Sequence, residues 1–166
     1  IKGSEFPNEY IILTAHLDHV GIQNGEIYNG ADDDGTGTIG ILEIAEAFAI
    51  AEKEGLRPKR SIIFLHVTAE ERGLLGSQYY VDYDPIVPLD QTMVCLNIDM
   101  IGRTDPNRGI RNTNYIYIIG SDILSNDLHE VNKKANEEYV NLELDYRYND
   151  PTYPVFESGR TIENQY

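Results

Sequence analysis

A chain of 166 residues with 41% hydrophobic content is long enough for one domain with a substantial core, and we interpret residues 1–166 as a single domain. Its formal net charge of −15 and isoelectric point of about 4.5 argue against nucleic acid and anionic membrane surfaces as partners, because like charges repel. The single cysteine, Cys95, excludes an internal disulfide and is predicted to be a small buried hydrophobic residue.

Short apolar runs rich in β-branched residues predict strands. They cover residues 10–15, 61–68, 93–98 and 115–120. Continuous apolar character is typical of strands that are covered on both faces. Between the first two runs, apolar residues recur at helical spacing from Thr36 to about Glu54, and Gly55 and Pro58 follow. This order predicts a β-α-β unit.

The later part of the chain continues the alternation of strands and helices. A polar loop is predicted over residues 105–114, a helix from an N-cap at Ser125 to about Glu138, and a strand over residues 142–146. The pattern predicts an α/β fold, a three-layer α/β/α domain with a largely parallel mixed sheet. The chain contains no charged leader before an apolar run and no apolar run near about 20 residues, so we expect neither a signal peptide nor a transmembrane helix in it.

Histidines and carboxylates follow the predicted strands. His16, Asp18 and His19 come after the first strand, the pair Glu70 and Glu71 after the second, and Asp99 after the third. Ligands of parallel sheets bind outside the carboxyl ends of the strands. We therefore expect these side chains to converge on one edge of the sheet.

Three consecutive aspartates, Asp32, Asp33 and Asp34, stand between glycines in the run GADDDGTG. Two unit charges about 4 Å apart repel by about 4 kcal/mol near a protein surface. A helix start explains one of them, with Asp34 or Thr36 as the N-cap. An EF-hand is excluded because its turn would place Gly30 and Ile41 at ligand positions.

The same region also matches a dinucleotide-binding pattern, G-x-G-x-x-G, over residues 35–40. That pattern requires a strand directly before it, and here a polar loop over residues 21–29 precedes it. Three carboxylates would also repel a pyrophosphate. We therefore do not expect a dinucleotide.

Each histidine admits two interpretations, as a metal ligand or as a residue with a structural role. His16 is a candidate metal ligand because Asp18, two residues on, offers a carboxylate that could fix its tautomer. His66 is interpreted as a core or sheet-packing residue, and His19 and His129 as structural or exposed.

The acidic residues at the strand ends could likewise be metal ligands or ordinary surface residues. The Glu70 and Glu71 pair is either a solvated turn or a pair that divides metal binding and proton transfer. Asp99 closes an apolar strand, where an unpaired charge is costly, and this favours a nearby cation.

Four motifs in this order, HLDHVG, YNGADDDGTGT, TAEERGLLGS and NIDMIGR, resemble the zinc-dependent aminopeptidases with a co-catalytic pair of metals, the leucyl aminopeptidase-like bacterial exopeptidases. The resemblance runs from about Glu9 to about Pro154. It implies a zinc exopeptidase fold, a peptide substrate with a free N-terminus, hydrolysis by a zinc-bound water, and two zinc ions per complete domain. It also favours a secreted or periplasmic location.

The resemblance implies specific roles for the residues of these motifs. His16 and Asp99 would bind one metal, Asp33 would bridge both metals, and Glu71 would bind the other. Glu70 would be the catalytic general base, and Asp18 would support His16. The peptide bond after the bridging aspartate is typically cis in this family.

The sequence departs from the family at its last metal ligand, a histidine late in the domain. Residues 155–166 contain no histidine, so we expect a truncated or altered C-terminal part. We accordingly expect at most one tightly bound zinc and little peptidase activity from this chain. Two other functions stay open: a non-catalytic peptidase-like domain, and a related cyclase that forms pyroglutamate at peptide N-termini and keeps one zinc.

Overall fold

A computed structural model describes residues 1–108 and 113–150. The chain forms two compact units, one covering residues 1–103 and another that begins at Thr104. Every candidate site residue named above belongs to the first unit. The assignment of residues 1–166 to one domain stays a prediction.

The first unit alternates strands and helices. In chain order its elements are β1 (Phe6–His16), β2 (Gly21–Gln23), β3 (Glu26–Tyr28), α1 (Gly35–Lys53), β4 (Arg60–Val67), α2 (Leu75–Asp82) and β5 (Thr92–Asn97). Strand β1 is central in a three-stranded sheet, with β4 on one side and β5 on the other, and both pairings are parallel. The three strands therefore have their carboxyl ends at one edge.

The core lies where α1 packs on the sheet. Leu13 and Ala15 of β1, Ile62 of β4 and Ile41 of α1 are buried together. Burial of a Leu or Ile side chain contributes about 1.5–3 kcal/mol to stability. This core fixes the helix start next to the end of β1, which brings the aspartate run to the strand-end edge.

The predicted α/β class with parallel strands is confirmed. The predicted first, second and third strands correspond to β1, β4 and β5, and the predicted long helix corresponds to α1. The prediction that Cys95 is buried is wrong: Cys95 is exposed, as are Met93 and Leu96 on the same strand. Strand β5 lies at an edge of the three-stranded sheet, so its apolar run is less covered than the sequence predicts.

Strands β2 and β3 of the first unit lie where the sequence predicts a loop. Strands β2 and β3 pair antiparallel within residues 21–29. Their turn is Asn24 and Gly25, both with positive φ, 53° and 83°, the left-handed conformation that tight hairpin turns require. Helix α2 begins within the GLLG segment, after a left-handed Leu74.

The second unit contains β6 (Tyr115–Tyr117), α3 (Ser121–Leu124), α4 (Asn126–Ala135) and β7 (Glu143–Asp145), with a π-helical turn over Asn136–Val140. Strands β6 and β7 pair in parallel. The Ser125 hydroxyl caps α4 by accepting the N–H of Leu128 at 3.2 Å, as predicted.

Two sequence predictions fall partly or wholly outside the described residues. The polar loop over residues 105–114 contains a 3-10 turn, Pro106–Arg108, and its residues 109–112 lie outside. The histidine-free segment 155–166 lies outside entirely. None of the helices formed by residues 1–108 and 113–150 is both long and apolar enough to cross a membrane.

Candidate metal centre

Two of the three consecutive aspartates accept hydrogen bonds from backbone N–H groups of other segments. Asp34 is 2% exposed and is the N-cap of α1, with its carboxylate accepting the N–H of Gly37 at 2.9 Å and the N–H of His16 at 3.1 Å. Asp32 accepts the N–H of Gly102 at 2.9 Å. The helix-start interpretation is thus confirmed for Asp34.

Asp33 is the aspartate that faces the histidines. Its Oδ1 lies 3.1 Å from Nε2 of His16 and 3.8 Å from Nδ1 of His19. The peptide bond between Asp33 and Asp34 is cis, as the resemblance implies. One carboxylate oxygen is therefore shared between two imidazoles.

The first cluster of possible metal ligands consists of His16, Asp33 and Asp99, whose donor atoms all lie within 4.8 Å of one another. The Nε2 atom of His16 lies 3.9 Å from Oδ2 of Asp99. The other ring nitrogen, Nδ1, lies 2.9 Å from the carbonyl oxygen of Asp18 and 3.6 Å from its carboxylate. The ring is thus fixed mainly by the Asp18 backbone, and Nε2 is left to face the two carboxylates.

Electrostatics at this cluster favour a cation. Burial, together with the nearby charge of Asp34, raises the pKa of Asp99 to about 6. Burial of His16 opposes its protonation, but Asp99 and the Asp18 carbonyl raise the pKa of the imidazole above its usual value. Each group therefore holds a proton more readily than usual, as expected where carboxylates crowd together without a counterion.

A second cluster lies beside the first and consists of His19, Asp33 and Glu71. The Nδ1 atom of His19 is 2.8 Å from Oε1 of Glu71. Both atoms are buried, and neither has a hydrogen-bond partner among the described residues. Imidazole nitrogen and carboxylate oxygen are ligands that zinc takes in proteins, so both clusters suit the metal that the resemblance implies.

The glutamate pair lies in a 3-10 turn, Glu70–Arg72, directly after β4. The Asp18 carboxylate accepts the N–H of Glu70 at 3.1 Å and the N–H of Glu71 at 3.4 Å. Asp18 therefore joins the end of β1 to the turn after β4. The charge of Glu70 also contributes to the raised pKa of His16 and of Asp99, which places Glu70 within electrostatic range of the first cluster.

The family model for Peptidase family M28 matches residues 1–154. The chain belongs to this family. M28 peptidases are zinc-dependent, and the resemblance to zinc aminopeptidases predicted from the motifs is confirmed.

Curated relatives of this M28 chain carry several peptidase names. The chain is 40% identical over 100 residues to a probable leucine aminopeptidase 2 of Aspergillus oryzae and 38% identical over 100 residues to leupeptin-inactivating enzyme 1 of Streptomyces exfoliatus. It is 34% identical over 99 residues to a probable glutamate carboxypeptidase of Arabidopsis thaliana. Each match covers 60% of this chain but only 18%, 21% and 14% of the respective relative. The chain thus spans less than a quarter of each of these relatives.

The M28 site brings together the residues that the sequence singled out. His16, Asp33 and Asp99 form one cluster, Glu71 joins Asp33 in the other, and Asp18 contacts both His16 and the glutamate turn. Their roles in catalysis stay predictions.

The remaining histidines divide into two kinds. His66 lies 3.2 Å through Nε2 from the carbonyl oxygen of Thr38 on α1, and His129 lies 3.1 Å through Nδ1 from the Ser121 hydroxyl. Both histidines lie outside the two clusters, and their structural roles stay predictions. His19 differs, because its imidazole lies in the second cluster, for which the resemblance implied only the carboxylates of Asp33 and Glu71 among these residues. Its place directly after the His-Leu-Asp motif was the available signal.

Proposed function

We propose that the protein is a metal-dependent aminopeptidase that removes N-terminal residues from peptides. The observation that carries this proposal is the position of Asp33 Oδ1, 3.1 Å from His16 and 3.8 Å from His19. A carboxylate shared by two adjacent ligand clusters suits a pair of metal ions, since two-metal sites hold their ions about 3.5–4 Å apart. Membership of a zinc peptidase family supports the same function.

In this proposal the chain supplies ligands to two positions. His16, Asp33 and Asp99 hold the first metal ion, and Asp33 and Glu71 belong to the second. Bound metal ions would polarise the scissile carbonyl group and lower the pKa of a water molecule toward about 7. The chain's own contribution is to hold the donors of both positions around one shared oxygen.

Glu70 is assigned the proton transfers. It would accept a proton from the attacking water and return it to the leaving amine. Its backbone N–H is held by Asp18, so the turn that carries it is fixed relative to His16.

The substrate is assigned a free N-terminal amine. The strand-end edge carries the carboxylates of Asp18, Asp33, Glu70, Glu71 and Asp99 at or near the proposed metal positions. Carboxylates not neutralised by a metal attract an ammonium group, and the formal net charge of −15 adds a long-range attraction for cations.

A glutamate carboxypeptidase activity is the second candidate, because some relatives carry that name. The pyroglutamate-forming cyclase and a non-catalytic domain are the others. The carboxypeptidase would act at the C-terminus of the peptide instead of the N-terminus. The cyclase would form a different product at the N-terminus, and the non-catalytic domain would form no product.

The test is an assay of purified, zinc-loaded protein on three substrates: an aminoacyl anilide, an N-terminal glutaminyl peptide and a peptide ending in glutamate. The proposal expects anilide release, at a low rate from the 166-residue chain, that a chelator removes and added zinc restores. Cyclisation, or release of the C-terminal glutamate alone, would instead support the cyclase or the carboxypeptidase. A zinc-loaded protein inactive on all three would support the non-catalytic interpretation.

A further inference from the structure

His19 is the unexpected member of the second cluster. The resemblance gives it no role, and the expectation of at most one zinc depended on a second position without an imidazole. The structure instead brings Nδ1 of His19 within 3.8 Å of the shared Asp33 Oδ1 and within 2.8 Å of Glu71 Oε1.

The two facing atoms of His19 and Glu71 are in ion-pair contact at 2.8 Å. Both Nδ1 and Oε1 are buried, and neither makes a hydrogen bond of normal geometry among the described residues. Leaving buried polar atoms without a well-formed hydrogen bond costs free energy. A cation between them satisfies both, because a nitrogen lone pair and a carboxylate oxygen are each metal donors.

The spacing of the donors also suits a metal ion. Zinc takes nitrogen and oxygen ligands at about 2.0–2.2 Å, so donor atoms around a tetrahedral zinc lie about 3.3 Å apart. The distances from His19 Nδ1, 2.8 Å to Glu71 and 3.8 Å to Asp33, lie on either side of this value. Small shifts of the side chains would place all three donors around one ion.

The backbone leaves room for this imidazole. Gly30 has a φ of +67°, and a Cβ atom at that position would lie 2.6 Å from Cβ and 2.9 Å from Cγ of His19. Any side chain at residue 30 would push the ring away. Glu71 on the opposite side is held by the bond from its N–H to Asp18.

We propose that His19 is a metal ligand at the second position and that with Asp33 and Glu71 it forms a three-donor site for zinc. This proposal rests on the proposed function and changes its metal content: the 166-residue chain would hold two zinc ions rather than one.

The test measures zinc bound per chain by calorimetric titration of metal-free protein and by elemental analysis after dialysis against trace zinc. The unaltered chain should bind two equivalents. His19→Ala should bind one, with the affinity of the remaining site changed by less than about threefold. His129→Ala, which removes an imidazole outside both clusters, should still bind two.

A second variant tests the position of the ring without removing a donor. Gly30→Ala should lower the affinity of the second equivalent at least tenfold, with circular dichroism showing that the fold is retained. If Gly30→Ala unfolds the chain, the zinc content of His19→Ala alone decides whether His19 is a ligand.

Three further outcomes separate the inference from the proposed function. Two equivalents in His19→Ala at unchanged affinity, or one equivalent in the unaltered chain, would overturn the role of His19 and leave the peptidase assignment standing. No zinc bound by the unaltered chain would overturn the proposed function itself.

Discussion

The carboxylate of Asp18 accepts the backbone N–H of Glu70 at 3.1 Å, across 52 positions of sequence. The bond fixes the turn after β4 against the end of β1. A residue that the sequence links only to His16 therefore also positions the proposed general base.

Asp18→Ala should weaken metal binding about 10–100-fold, the usual effect of losing a group that orients the ligands. The turn that carries Glu71 would lose its anchor, since both carboxylate oxygens accept N–H groups from it. Asp18→Asn keeps one carbonyl oxygen and should retain more affinity than Asp18→Ala. Competition with a chromogenic chelator measures both variants, and equal affinity of Asp18→Ala and the unaltered chain would contradict the anchoring role.

Glu70→Gln should abolish hydrolysis by any active form of the protein and leave the metal content unchanged, because Glu70 is assigned to proton transfer and not to coordination. Glu71→Gln is the matched control from the adjacent position, and it should weaken metal binding. Turnover and elemental analysis on the same preparations separate the two effects. More than a few per cent of the original kcat in Glu70→Gln, or loss of its zinc, would show that the roles are wrongly assigned.

Removing the metal should lower the thermal stability of the chain at neutral pH. Without a cation, Asp33, Glu71 and Asp99 lie close together with no neutralising charge from a metal. A ligand that binds only the folded state adds about 2.7 kcal/mol at a hundred times its Kd. Thermal unfolding with and without a chelator measures the difference, and superimposable curves would remove the metal-centre interpretation.

Gly37→Ala should destabilise the chain although alanine favours helix. Its Cβ would collide with the carbonyl oxygen of Ile98 and with the Asp34 carboxylate that caps α1. Overpacking costs about 1–3 kcal/mol, and disturbing the cap adds about 1 kcal/mol.

Gly40→Ala, one turn along the same helix, is the control for this substitution. Its Cβ would meet only the end of the Ile101 side chain, at 3.2 Å, so it should be neutral or gain up to about 1 kcal/mol. Urea unfolding midpoints compare the two variants. Similar midpoints would show that the close approach at Gly37 does not make an added Cβ destabilising.

The sequence predicts best where local pattern and burial agree. Strands β1 and β4 and helix α1 were predicted because their apolar residues mark both the element and its buried face. The β2–β3 hairpin was missed even though Asn24 and Gly25 carry a turn signal, since its strands are three residues each and their apolar residues, Ile22 and Ile27, are exposed.

The site was predicted where its residues directly follow strands. His16, the glutamate turn and Asp99 needed only the rule that parallel strands end at one edge. The same rule placed His19 at this edge but not among the possible ligands, because its ring direction depends on the space at Gly30, a contact between two loops that no periodicity encodes.

The parallel arrangement around β1 also sets when the centre can acquire its metal. The donors are spread from His16 to Asp99, and Glu71 and Asp99 reach the shared edge only after β4 and β5 have paired with β1. Such non-local pairing forms slowly compared with local contacts. During synthesis on a ribosome, the nascent chain therefore cannot build the complete centre before Asp99 has emerged, and loading with zinc should be a late event in its maturation.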